Sequence, residues 1–95
     1  MALTFPLEIV TPLGLVFEGE VEHVRAPGAL GSFGILANHT PFITPMTEGE
    51  IIVRSAGGEQ TYLTSGGLAD VSGGKVLILA EDARDPNAEE DEEES

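Results

Sequence analysis

Leu3-Thr4-Phe5-Pro6-Leu7-Glu8-Ile9 sets an apolar side chain at every second position, with Thr4, Pro6 and Glu8 between them. A repeat of two marks a strand with one buried face, because successive Cβ atoms of an extended chain point to opposite sides. Pro6 cannot donate to a ladder, so this strand belongs at a sheet edge or beside a bulge. Beyond the Thr11-Pro12 break, Leu13 to Phe17 reads as a second strand and Val21 to Ala26 as a third, with Gly19 marking the turn between them. Pro27-Gly28-Ala29-Leu30-Gly31-Ser32 is rich in turn formers and reads as irregular. Further strands are expected at Phe33 to Leu36, Phe42 to Met46, Ile51 to Arg54, Thr61 to Thr64, Leu68 to Val71 and Lys75 to Leu79. Gly57-Gly58 and Gly73-Gly74 fall where hairpin turns belong, since glycine supplies the positive φ such turns need.

Eight or nine short strands with a turn signal about every 8 to 12 residues, and no long helical periodicity, indicate an antiparallel sandwich or flattened barrel. No alternation of strand and helix is visible, so the usual platform for nucleotide chemistry is missing.

Ninety-five residues hold one domain and one core. With no cysteine, neither a disulfide nor a thiolate metal site can staple the fold. The net charge of −13 is uneven: nine of the seventeen acids fall from Glu81 to Ser95, with Arg84 as the one base there. From Asp82 onward the chain offers nothing apolar to bury and is expected to be disordered, which divides it into a folded body, 1–82, and an acidic tail, 83–95. Arg25, Arg54, Lys75 and Arg84 are too few to form a basic patch, so nucleic-acid binding is excluded. The opening MALTFPLEIV lacks a basic n-region and a continuous apolar stretch, so the chain reads as soluble and cytoplasmic, reaching a membrane only indirectly.

No constellation points to chemistry. His23 alternates with Glu22 and Val24 and reads as an outer-face strand residue; His39 lies in a turn, and two histidines without cysteine fall short of a zinc site. Ser65-Gly66-Gly67 is not a nucleophile elbow and sits in an expected hairpin. The pairs Glu20/Glu22 and Glu48/Glu50 share a face but read as solvated acids, since nothing apolar surrounds them. Asn38-His39-Thr40 matches a glycosylation sequon, yet no secretion signal precedes it. No cofactor is implied.

Several stretches in order resemble one family. Leu3-Thr4-Phe5-Pro6-Leu7-Glu8-Ile9-Val10-Thr11-Pro12 looks like the first strand of the epsilon subunit of F-type ATP synthases, and Val16-Phe17-Glu18-Gly19-Glu20-Val21-Glu22 like its second and third. Gly31-Ser32-Phe33-Gly34-Ile35-Leu36-Ala37-Asn38-His39-Thr40-Pro41-Phe42 is similar to the family's Gly-x-hydrophobic-Gly-Ile-x-Pro-Gly-His-x-Pro signature. Thr47-Glu48-Gly49-Glu50-Ile51 and Tyr62-Leu63-Thr64-Ser65-Gly66-Gly67-Leu68-Ala69-Asp70-Val71 match its remaining hairpins. Ala37-Asn38 replaces the usual Pro-Gly before the histidine, and asparagine tolerates the left-handed region that such a turn requires.

The resemblance implies a ten-stranded antiparallel sandwich at the foot of the central stalk of a proton-translocating synthase, non-catalytic and peripheral on the cytoplasmic face of a bacterial inner membrane. It implies two partners, the gamma subunit and the ring of c subunits. Ring contact is expected at Ala29, Leu30, Gly31 and Ser32 and at the nearby turn carrying His39. Leu30 and Ser32 stand where relatives often carry acids, which favours apolar or hydrogen-bonded contact over salt bridges; for His39 an inward, turn-capping role is the alternative. Gamma contact is expected at Thr11, Pro12, Phe42 and Thr44. Family members commonly continue into an inhibitory helical hairpin; this sequence has only the acidic tail after Ala80, so inhibition by an inserting helix is not expected. Two other readings stand beside this one: a free-standing binding module, and an enzyme using His39 with Glu48 or Asp70.

Overall fold

The computed structural model describes residues 3–38 and 40–86. These residues form nine strands, not ten: β1 (Phe5–Thr11), β2 (Gly14–Val21), β3 (His23–Gly28), β4 (Gly31–Leu36), β5 (Phe42–Met46), β6 (Gly49–Ser55), β7 (Gly58–Thr64), β8 (Gly67–Ser72) and β9 (Lys75–Ala80). The nearest approach to a tenth is a single bridge between Leu63 and Arg84. It does not grow into a strand, because Pro86 follows closely and has no N–H to donate.

The strands make two sheets, one of five in the order β2-β1-β9-β8-β5 and one of four in the order β4-β3-β6-β7. The chain changes sheet four times, after β2, β4, β5 and β7. The pairing is not antiparallel throughout: β1 and β9 run parallel from Leu7↔Val76 to Val10↔Leu79, which joins the first strand to the last. β1 is therefore an interior strand and not an edge. Pro6 is accommodated because pairing with β9 starts only at Leu7, and the irregularity that the proline suggested sits farther on, between Ile9 and Val10.

Two other expectations fail for one reason, that glycine does not always mean a turn. Gly19 lies inside β2 opposite Leu7, with the Phe17 ring close over it. Gly66 and Gly67 belong to a crossing from β7 in one sheet to β8 in the other, not to a hairpin. At Gly67 a Cβ would come within 2.2 Å of the Leu79 carbonyl oxygen and φ is +151°, so this position admits no side chain without displacing β9.

The core lies between the sheets. Leu7, Ile9, Val21, Val24, Ile35, Ile51 and Ile78 are fully buried, each contributing about 1.5–3 kcal/mol relative to exposure. Thr64 is the buried polar side chain, and its hydroxyl is satisfied by Gly66 alone, accepting the N–H and donating to the carbonyl, both at 3.1 Å. Phe33 of β4 and Phe42 of β5 meet edge to face, centroids 6.1 Å apart, where the two sheets open on that side.

The described residues continue past Asp82 as far as Pro86. The Asp82 carboxylate accepts the Ser65 N–H at 2.7 Å and the Ser65 hydroxyl at 3.3 Å, and Arg84 exchanges two backbone hydrogen bonds with Leu63 at 2.7 and 2.8 Å. The segment after β9 thus crosses to the edge strand of the other sheet. Residues 87–95, which hold the rest of the acidic tail, lie outside the described residues.

Candidate functional site

The segment read as irregular is the end of a regular hairpin. β3 and β4 pair as far as Gly28↔Gly31, leaving Ala29 and Leu30 as a two-residue turn, with Gly31 at φ +117° closing it. A two-residue connection fixes register tightly, so the tip is an extension of the sheet. Its root is tied across the sandwich by the Thr47 N–H donating to the Pro27 carbonyl at 3.1 Å. Leu30 at the apex is fully exposed, an apolar side chain with no neighbour to cover it among the described residues.

Beside the tip runs a groove of about 500 Å³ between the edges of β4 and β5. Ala29, Leu30, Gly31 and Ser32 form one wall with Phe33; Phe42, Thr44 and Pro45 form the other. The structure therefore brings the four expected ring-contact residues of the tip together with two of the expected gamma-contact residues. Thr11 and Pro12 stand apart, in the β1–β2 turn. There the Thr11 hydroxyl accepts the Leu13 N–H at 3.2 Å and donates to the Gly14 carbonyl at 3.3 Å, so its polar group serves its own turn.

The turn after β4 is not near the tip. Six residues of β4 separate them, about 20 Å at roughly 3.3 Å per residue, so Leu30 and Asn38 lie at opposite ends of that strand. Asn38 itself is at φ +65°, the left-handed conformation expected of the residue standing in for glycine. His39 lies outside the described residues.

Sequence reasoning missed Phe33 and Pro45 as groove residues. The available signal was the pair of glycines, Gly28 and Gly31, flanking two residues between alternating stretches, which is a hairpin pattern. His23 lies on the outer face of β3, with its ring over Gly34, where a Cβ would stand 2.9 Å from Nε2. Among the described residues no three His, Cys, Asp or Glu side chains converge to hold a metal ion.

Two ionisable groups depart from their ordinary behaviour. The Asp82 carboxyl is held below its usual value first by the Ser65 backbone N–H, then by the Ser65 hydroxyl and Arg84, whose Nε lies 3.1 Å away. Burial pushes the Tyr62 phenol up, and the Asp85 carboxylate adds to this. Both groups mark the strap after β9, not the groove.

The family model described as ATP synthase, Delta/Epsilon chain, beta-sandwich domain matches residues 4–86. The sodium-ion-specific ATP synthase epsilon chain of Propionigenium modestum is 42% identical over 82 residues, 86% of this chain and 60% of that one. The epsilon chain of Caulobacter vibrioides is 45% identical over 75 residues, 79% of this chain and 87% of that one. The chain spans about 60% of the length of several relatives, as in Nitratidesulfovibrio vulgaris at 45% identity, where the share is 62%. Among solved structures, a chain of the Euglena gracilis mitochondrial ATP synthase, OSCP/F1/c-ring, superposes with a TM-score of 0.81 at 25% identity, covering 86% of this chain and 53% of that one. A chain of the Tetrahymena thermophila mitochondrial ATP synthase, central stalk/c-ring, has the same fold at a TM-score of 0.73 and 18% identity, over 88% and 68% of the two chains. With the match running from the first strand through the strap that closes the last, this chain belongs to the ATP synthase delta/epsilon family and carries its β-sandwich domain.

Proposed function

We propose that the chain is a non-catalytic subunit in the central stalk of an F-type ATP synthase, a rigid joint between the gamma subunit and the ring of c subunits. The observation that carries this reading is the family match over the whole sandwich, 4–86. The solved Euglena relative, at 25% identity, sits in an assembly that includes F1 and a c-ring. Transmitting torque requires a body that does not shear. Two packed sheets joined by four changes of sheet, with a parallel seam between first and last strands, meet that requirement.

In this proposal the β3–β4 tip meets the ring through Ala29, Leu30, Gly31 and Ser32. The apex offers an uncharged, apolar side chain, so the contact is made by burial of Leu30 and hydrogen bonds at Ser32 rather than by ion pairs. Gamma contact falls to Phe42 and Thr44 on the adjoining wall and to Thr11 and Pro12 in the β1–β2 turn. The chain is held at the cytoplasmic side of a bacterial membrane by the complex; no helix among the described residues is long and apolar enough to cross a membrane.

The test is purification from native membranes in mild detergent, followed by ATP synthesis driven by an imposed ion gradient. Gamma and c subunits should accompany the chain. Leu30→Lys combined with Ser32→Lys should uncouple synthesis from ion flow while the chain remains bound to gamma. Normal coupling in a synthase stripped of this chain would overturn the proposal.

A further inference from the structure

The outer face of the four-stranded sheet gathers the chain's scarce cations. His23 and Arg54 are cross-strand partners, and Arg25 follows in the next row beside Ile52. Val24 and Val53 between them are buried in the core, so all three side chains point outward. Arg25 and Arg54 are two of the four Lys and Arg residues in a chain of net charge −13. Of the other two, Arg84 is paired with Asp82 at 3.1 Å and Lys75 lies in the five-stranded sheet. Among the described residues Arg25 makes no ion pair, and Arg54 has a long, exposed one with Glu59 at 3.6 Å. The four strands carry two acids, Glu50 on β6 and Glu59 on β7, which leaves β3 to the cations; Glu22 and Glu48 flank its two ends.

A second observation is where the chain arrives after β9. Arg84 bridges antiparallel to Leu63, so the residues after it run back beside β7, and Pro86 shares a groove with Thr61 and Glu59 of this same face. From there to His23 is three strand spacings, about 14 Å, which about four or five extended residues span. Counted from Pro86, that length brings Glu89-Glu90-Asp91-Glu92-Glu93-Glu94 onto the row of Arg54 and His23. The row ends in an open groove of about 470 Å³ beside the exposed Leu36.

We propose that residues 87–95 fold back across this face, the carboxylates of 89–94 pairing with Arg54 and Arg25 and accepting the His23 ring N–H, so that the tail closes the cationic face to acidic partners. Six acids in a row match a face that offers three donors and lie within reach of it. Tethering gives the tail an effective concentration in the millimolar range, whereas a second copy or another acidic chain must first approach a body of net charge −13. Every one of these pairs is exposed and weak by itself, so the tail is held at low salt and released when screening shortens the Debye length to a few ångströms. Neither the ring contact nor the gamma contact enters this inference, which stands or falls apart from the stalk assignment.

The test uses the intact chain with Ser95→Cys, the sole cysteine, carrying a nitroxide spin label, and reads paramagnetic broadening of backbone amides by NMR. At about 20 mM salt His23, Arg25 and Arg54 should be broadened at least about twofold more than Leu79 on the opposite face, and about 0.5 M salt should remove the difference. Arg25→Gln with Arg54→Gln should also remove it at low salt, with an unchanged melting temperature. Replacing the six acids 89–94 by Gln and Asn should do the same and should let added hexaglutamate shift the β3 and β6 amides about tenfold more readily than in the unaltered chain. Equal broadening on the two faces, broadening confined to β7, or indifference to salt or to the arginine substitutions would overturn the proposal. So would broadening that reaches isotope-labelled chains only when they are mixed with separate spin-labelled ones, which would place the tail on a second copy.

Discussion

On the outside of the four-stranded sheet, Arg25 aligns with Gly34, Ile52 and Thr61, and the next row holds Leu36, His23, Arg54 and Glu59. Arg54 and Glu59 pair at 3.6 Å with both side chains well exposed, a contact worth no more than about 1 kcal/mol. On the outside of the five-stranded sheet the equivalent row is Leu15, Val10, Leu79, Leu68 and Pro45. Both sheets cover the same core, so the inner layer cannot account for the difference. The four-stranded face mixes charged and polar groups with Ile52 and the exposed Leu36, whereas the aligned row of the five-stranded sheet is apolar throughout. The two outer faces thus differ in that one row of the five-stranded sheet has no polar side chain, while both rows of the four-stranded sheet do.

The comparison can be tested from the largest effect downward. Leu7→Ala, in the core that both sheets share, should cost about 2–5 kcal/mol in urea unfolding, which sets the scale for a truly interior side chain. Gly67→Ala should cost about 1–3 kcal/mol, because the new methyl meets the Leu79 carbonyl and the backbone there is left-handed; it should also shift β8–β9 amide resonances, since this pairing supports the apolar row. Leu79→Gln should change the stability of the isolated chain by no more than about 0.5 kcal/mol, similar to Arg54→Gln. A loss of about 2 kcal/mol from Leu79→Gln would break the comparison, because it would make the row part of the chain's own core.

The smallest effect is a pH dependence at the strap. The Asp82 carboxyl has its folded pKa depressed below the ordinary 3.8, so its contribution is present above that value and is lost as pH falls through the lower folded one. An NMR titration of the Ser65 amide should follow this transition, and Asp82→Asn should abolish it. Since Asp82 lies on neither outer face, the row around Leu79 should not respond.

Much of the strand content was legible from the period-two pattern at Phe5, Leu7 and Ile9, and from Gly73-Gly74, whose φ values of +58° and +78° are those of a tight turn. Asn38 also behaved as expected from its tolerance of positive φ. The misreadings at Gly19 and at Gly28 to Ser32 share a cause. Glycine marks either a bend or a place where something else passes close, and one sequence does not say which. At Gly19 the Phe17 ring covers the strand, and at Gly28 and Gly31 two glycines frame a tight turn within an unbroken hairpin. Ala29 to Ser32 were singled out as one stretch and line one groove wall, but their distance from Asn38 was not legible, because the length of β4 was hidden inside what looked like a loop.

By itself the sequence determined an all-β chain, its family and the inward set of side chains, since alternation and turn chemistry act over a few residues and need no knowledge of partners in space. Only the tertiary structure decided that β1 lies beside β9, that Phe42 shares a groove with Leu30, and that Leu79 faces outward in line with four other apolar residues. Those relations join residues far apart in the chain. They are set by which faces can be buried together, a property of the packed sheets and not of any one segment.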